Sequence, residues 1–208
     1  MRRLIICLIL PLFLAACGAE PTWAPDDAVR KATFASGEAP SITLYTVISK
    51  NTGAGGHSSL LVDGTQRVLF DPAGTFQYPL APERNDVHFG MTERMRKLYI
   101  DYHAREDWFV REQKIYVSLE TAEDLRRRVQ AYGAVSKSMC ANSISSVLSQ
   151  TAGLKGISHT YFPVALSDEF ATLPGVASRD IFDGDPSVAH DIKLVPIPKE
   201  DTGIVTDR

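Results

Sequence analysis

Three residue types needed for thiol chemistry occur in this chain in suggestive places. Cys140 sits in "YGAVSKSMCANSISSVLSQ", at the point where an apolar stripe of Ile144, Val147 and Leu148 marks the start of a helix. A helix N-terminus has unpaired N–H groups and a positive dipole end. Both favour a thiolate, and the same N–H groups can hold an oxyanion. A nucleophilic thiol also needs a base and a group to orient that base. Five histidines are available: His57, His88, His103, His159 and His190. His57 is the best placed, because it follows the glycine-rich "KNTGAGG" and opens a strand, where its backbone faces a cleft before the chain enters the sheet. His88 falls in a loop, His103 on a helix beside an apolar stripe, His159 after the Cys140 helix, and His190 in the tail. The competing reading of Cys140 is a small buried hydrophobe under its helix.

The elements that must position these residues follow from periodicity. "SITLYTVIS" (41–49) alternates and is β-branched, a strand. Residues 57–64 form a second strand ending in Asp-Gly, and residues 65–74 a third, stopped by Pro72 and Gly74, which together read as a hairpin. Residues 75–90 read as loop. Residues 91–107 read as a helix capped by Thr92, with Met95, Leu98, Tyr99 and Tyr102 at helical spacing. Residues 108–118 return to strand. Residues 118–133 give a helix with Thr121 and Asp124 in capping-box spacing and Gly133 at its C-terminus. Helices at 140–153 and 166–175 follow. This order predicts an α+β fold, a small antiparallel sheet with helices packed against it.

The first seventeen residues read as a targeting segment: "MRR", then the short apolar "LIICLILPLFLAA", then Cys17. "LAAC" resembles the lipobox of bacterial lipoproteins, which implies acylation of Cys17 and a lipid anchor in the envelope, on the periplasmic side. Gly18 after the cysteine favours the outer membrane. No apolar run reaches the ~20 residues of a spanning helix. The expected organisation is a signal peptide at 1–17, an Ala/Pro-rich tether at 18–40, a folded domain at 41–182 and a loose tail at 183–208. Cys7 then leaves with the signal and Cys17 carries lipid, so Cys140 alone keeps a free thiol, in an oxidising compartment where no structural disulfide can form within the chain.

The residues "GHSSLLV" (56–62), then "VLFDPAG", then Tyr132 and "CANSISSVL", resemble the circularly permuted branch of papain-like cysteine hydrolases. This branch includes relatives of the NlpC cell-wall peptidases and of lecithin:retinol acyltransferase. The resemblance extends over most of 41–175 and includes "FPVALSDEF" after the cysteine helix. It implies Cys140 as nucleophile and His57 as base, with an orienting polar residue on the neighbouring strand. Asp71 fits that place: if 57–62 and 67–70 pair antiparallel, Asp71 falls near the level of His57–Ser58, whereas Asp63 lies too near the turn. Asp71 also reads as the start of an Asp-Pro turn. Met139 stands where these families commonly have asparagine. The implied function is a thiol hydrolase or acyltransferase acting on amide or acyl bonds, with peptidoglycan peptides or lipids as substrates. The alternative is a catalytically inactive envelope-anchored binding module of the same fold.

Tyr45 and Asn51 are further polar candidates for an oxyanion site. No close His/Cys/Asp spacing matches a metal set, and nothing points to a cofactor. With 22 basic against 25 acidic residues and no basic patch, nucleic acid is excluded as a partner.

Overall fold

Strand β1 (Ser41–Ser49) is buried along all nine of its residues. Both of its faces are covered: Ile42 and Leu44 belong to one apolar cluster, Tyr45 and Val47 to the other. The computed structural model, which describes residues 18–154 and 156–184, places β1 inside a seven-stranded antiparallel sheet of order β4-β5-β3-β2-β1-β6-β7. The other strands are β2 (Gly55–Asp63), β3 (Arg67–Phe70), β4 (Glu83–Arg84), β5 (Val87–His88), β6 (Trp108–Tyr116) and β7 (Ala177–Phe182). Among the described residues five helices complete the α+β fold: α1 (Asp26–Lys31), α2 (Glu93–His103), α3 (Leu119–Tyr132), α4 (Cys140–Gln150) and α5 (Pro163–Ala171).

The helices cover the sheet from two sides. Leu125 and Val129 of α3, Ile144 and Leu148 of α4, and Leu166 and Phe170 of α5 pack on Leu60, Val62, Val68 and Phe70. On the other face, Met95, Tyr99 and Ile100 of α2 pack on Tyr45, Leu61, Leu69 and Val110. Each side chain stands on the face set by the two-residue period of its strand. No helix among the described residues is long and apolar enough to cross a membrane.

Most expected elements are present, with instructive differences. Thr92 caps α2, accepting the Met95 N–H at 3.2 Å. Helix α3 is capped by Ser118, which accepts the Thr121 N–H, and not by Thr121; Asp124 instead meets Arg128. Gly133, at φ 90°, ends that helix as expected. Helix α5 starts earlier than expected because Pro163 occupies its first turn. The stretch expected as loop contains β4 and β5, joined by Asn85 and Asp86 at φ 46° and 65°. Two successive left-handed residues make a tight hairpin turn, and Asn and Asp are the side chains that tolerate it best. β7 was not expected. It is an exposed edge strand held to β6 by an Arg111–Asp180 pair and a Phe109–Phe182 ring contact, with little apolar periodicity to reveal it.

The segment expected as a tether lies down on the domain over its described length. Ala24 and Asn85 exchange backbone hydrogen bonds with Glu83 and Thr22, and Arg84 stacks on Trp23 at 4.6 Å. The expected signal peptide, with Cys17, and the expected tail beyond Gly184 lie outside the described residues.

One buried cation ties this N-terminal segment to the sheet. Arg67 is 2% exposed. It reaches Asp63 at 2.6 and 2.8 Å and Glu93 of α2 at 2.5 Å, stacks on Phe34, and its N–H donates to Phe34 O at 2.8 Å. Its removal strands a buried Asp63 carboxylate. Arg67→Ala is therefore expected to lower unfolding stability by ~3–5 kcal/mol, read by urea denaturation. A loss below ~1 kcal/mol, the range of an exposed pair, contradicts that role.

Candidate functional site

The start of β2, the end of β3 and the N-terminus of α4 meet at one end of the sheet. The β1–β2 register shifts between Val47 and Ile48: Val47 pairs with His57, but Ile48 pairs with Gly55, so Gly56 is the extra residue. A bulge bends its strand and redirects the side chains beside it. Gly56 is required for a second reason, since a Cβ there would meet the Trp108 ring at 2.7 Å. His57 thus stands on a bent strand end instead of in the flat sheet.

Asp71 follows directly after β3. The pairing of Leu60 with Phe70 places it level with Ser59, one residue from the expected His57–Ser58 level. It still shares the face of His57, and its Oδ1 lies 2.7 Å from His57 Nε2. The Tyr99 hydroxyl donates to the same Oδ1 at 2.6 Å. His88 Nε2 lies 4.0 Å from Oδ2, an oxygen that has no hydrogen-bond partner among the described residues. Asp71 does start a turn, donated to by Gly74 N–H, and a Cβ on Gly74 would collide with the carboxylate. The turn and the site role are compatible. Asp63, as expected, stays away and serves Arg67 and Ser36.

Cys140 is the first residue of α4. The chain enters it through Ser138 at φ 67° and Met139 at φ −104°, ψ 11°, an uncommon pair of conformations for non-glycine residues. Met139 supplies no side-chain cap, so the first-turn N–H groups are left for other acceptors. His57 and the backbone N–H groups of Ser58 and Ala141 are the groups near the Cys140 sulfur that favour its charged form. Since Asp71 takes Nε2, the ring nitrogen left to the thiol is Nδ1.

The electrostatics follow from these contacts. Burial alone would push the Asp71 carboxyl up, but the charge and hydrogen bond of His57, helped by His103 and His88, hold it well below the usual carboxylate range. Burial likewise opposes the charged His57, yet Asp71 and Cys140 raise it to about 10. Burial raises Cys140, but His57 and the two backbone N–H groups bring it below an ordinary thiol. The three shifts run in the direction of a thiolate, an imidazolium and a carboxylate.

Two neighbours were not singled out as site residues. The His103 ring stacks on His57 at 5.5 Å and 9° and donates through Nδ1 to Tyr99 O at 2.9 Å; burial lowers it to about 4, so it is neutral. Tyr99 and His103 lie four residues apart on α2, one helical turn, in a stripe that reads as apolar core. Polar atoms carried on such a stripe were the available signal. The fold also brings together donor atoms that are far apart in sequence. His57, Asp71 and His103 bring donor atoms within 4.8 Å of one another. They come from a strand, a turn and a helix, so no local spacing records them. A cleft of about 370 Å³ opens beside them, lined by His57, His103, Gly56, Gly74, Tyr102 and Trp108 among others.

The remaining candidates lie elsewhere. His159 is exposed beside Tyr161, and His190 is outside the described residues. Asn51 donates to Asp107 at the surface. Tyr45 packs on Tyr99, its ionisation suppressed by burial and by Glu112. Tyr132 rests on Phe70.

Cys140 and His57 titrate as a coupled pair, so the observable is an apparent value for the ring. In an NMR pH titration, His57 is expected to titrate far above the ordinary 6.5, towards about 10, and to fall by more than one unit in Asp71→Asn. A His57 that titrates near 6.5 in both proteins contradicts the charge chain.

Compared with protein-family models, with curated proteins and with solved structures, the chain finds no match in any of the three.

Proposed function

We propose that the protein is a thiol hydrolase or acyltransferase, with Cys140 as nucleophile, His57 as base and Asp71 as the group that orients it. The observation that carries this reading is the 2.7 Å contact of His57 Nε2 with the buried Asp71 carboxylate, at a sheet end where Cys140 opens α4 and lies near enough to shift the His57 ring. In this reading the Cys140 sulfur attacks a substrate carbonyl, and the C=O π electrons move to oxygen. The carbonyl re-forms as the leaving group departs with the proton from His57 Nδ1, which leaves a thioester. Water, or another acceptor, then attacks the thioester. His57 takes the acceptor's proton, and the thiolate departs. First-turn N–H groups of α4, and the Asn142 amide nitrogen, which is buried without a hydrogen-bond partner among the described residues, are the donors nearest in sequence for the oxyanion.

The substrate reading follows from the N-terminal sequence. A lipid-carrying Cys17 would tether the enzyme to the envelope, the outer membrane being slightly favoured, where peptidoglycan peptides and lipid acyl groups supply amide and acyl bonds. The permuted papain-like relationship is part of the same proposal, supported by the order of His57, Asp71 and Cys140 along the chain. One observation favours the inactive binding module instead: Cys140 is only 6% exposed and does not line the 370 Å³ cleft.

Intact-protein mass spectrometry after mixing with p-nitrophenyl acyl esters, and with short peptides bearing a scissile amide, separates the two readings. The expected result is an acyl adduct on Cys140. It should be absent in Cys140→Ser and form ~10²–10⁴-fold more slowly in His57→Ala. Absence of an adduct in the wild type across both substrate sets favours the binding module.

A further inference from the structure

We propose that His57, Asp71 and His103 form a binding site for one divalent metal ion of zinc type, with His103 as the ligand that is idle in the thiol chemistry. Two imidazoles and one carboxylate are a donor set that suits zinc and leaves a coordination position open. Their donor atoms already lie within 4.8 Å of one another.

The surroundings of each ligand fit this use. A metal-binding histidine commonly donates its second ring nitrogen to a backbone carbonyl, which fixes the tautomer. His103 does this: Nδ1 donates to Tyr99 O at 2.9 Å, so the lone pair is at Nε2. The carboxylate is held in the same way, by the Tyr99 hydroxyl at 2.6 Å. Tyr99 therefore orients two of the three ligands, one through its carbonyl and one through its hydroxyl. His57 and His103 line the 370 Å³ cleft, which gives a path for the ion and room for water at the open position.

In the metal-free state the Nε2 hydrogen of His57 lies between that nitrogen and Asp71 Oδ1 at 2.7 Å. The metal takes both atoms, and that proton leaves to solvent, so each ion bound releases one proton. The two rings are stacked at 9°, and their lone pairs lie in parallel planes. Loading thus tilts the rings while the His103 Nδ1–Tyr99 O bond is kept, until both lone pairs meet the ion. Metal binding and the His57–Asp71 hydrogen bond exclude each other, so the ion would withdraw His57 from proton transfer.

The test is zinc titration of the metal-stripped, untagged full chain in detergent, by competition with a chromogenic chelator. The wild type and Cys140→Ser should each bind one zinc ion with similar affinity, and His103→Ala should bind at least ~10-fold more weakly. No stoichiometric zinc on the wild type, loss of zinc in Cys140→Ser, or unchanged affinity in His103→Ala each overturns the proposal. Cobalt(II) loading of the wild type keeps the test independent of variant folding. Visible d–d bands without a thiolate-to-cobalt charge-transfer band are expected, and a strong charge-transfer band contradicts the site.

Discussion

The arrangement at the sheet end depends on the buried charge of Asp71. A carboxylate this deep is costly unless positive charge and hydrogen bonds compensate it. Here one oxygen receives both the His57 ring and the Tyr99 hydroxyl, and the other has, among the described residues, only His88 at 4.0 Å. Compensation therefore falls mainly on His57, which is held protonated against its own burial. The protonated ring in turn favours a thiolate on the sulfur next to it. If Asp71 were neutral, the whole sequence of shifts would lapse.

The fold supplies this interaction by breaking regularity in three places. A bulge beside Gly56 turns the end of β2. The Pro72–Gly74 turn stops β3 with a glycine close against the carboxylate. The Ser138–Met139 turn delivers Cys140 to the helix end. The regular parts act as the frame: β1, buried on both faces, fixes the level of β2, and α2 carries Tyr99 and His103 against the strand ends. Each irregular piece is held by packing that it does not itself provide.

The nucleophile and base candidates were legible because their signals are local. Cys140 begins an apolar stripe with helical period, and His57 follows a glycine run; both land where those patterns place them. Asp71 was legible to within one residue, because the short Asp63–Arg67 turn sets the β2–β3 register. Tyr99 and His103 were hidden by their own periodicity, since a helical stripe looks the same whether it packs a core or carries donors into one. β7 and the docking of residues 22–36 were hidden for the opposite reason. Their contacts are backbone pairings and charge pairs with partners far away in sequence, and these leave no period behind.

The thiol chemistry requires that His57 hold Cys140 as a thiolate. The pH dependence of iodoacetamide alkylation at Cys140, in the full chain and in its His57→Ala variant, tests it most directly. Alkylation in the wild type is expected to persist well below the ~8.5 at which a free cysteine ionises, and the variant to return to an ordinary thiol profile. An unreactive thiol, or one that titrates like free cysteine in both proteins, would contradict it.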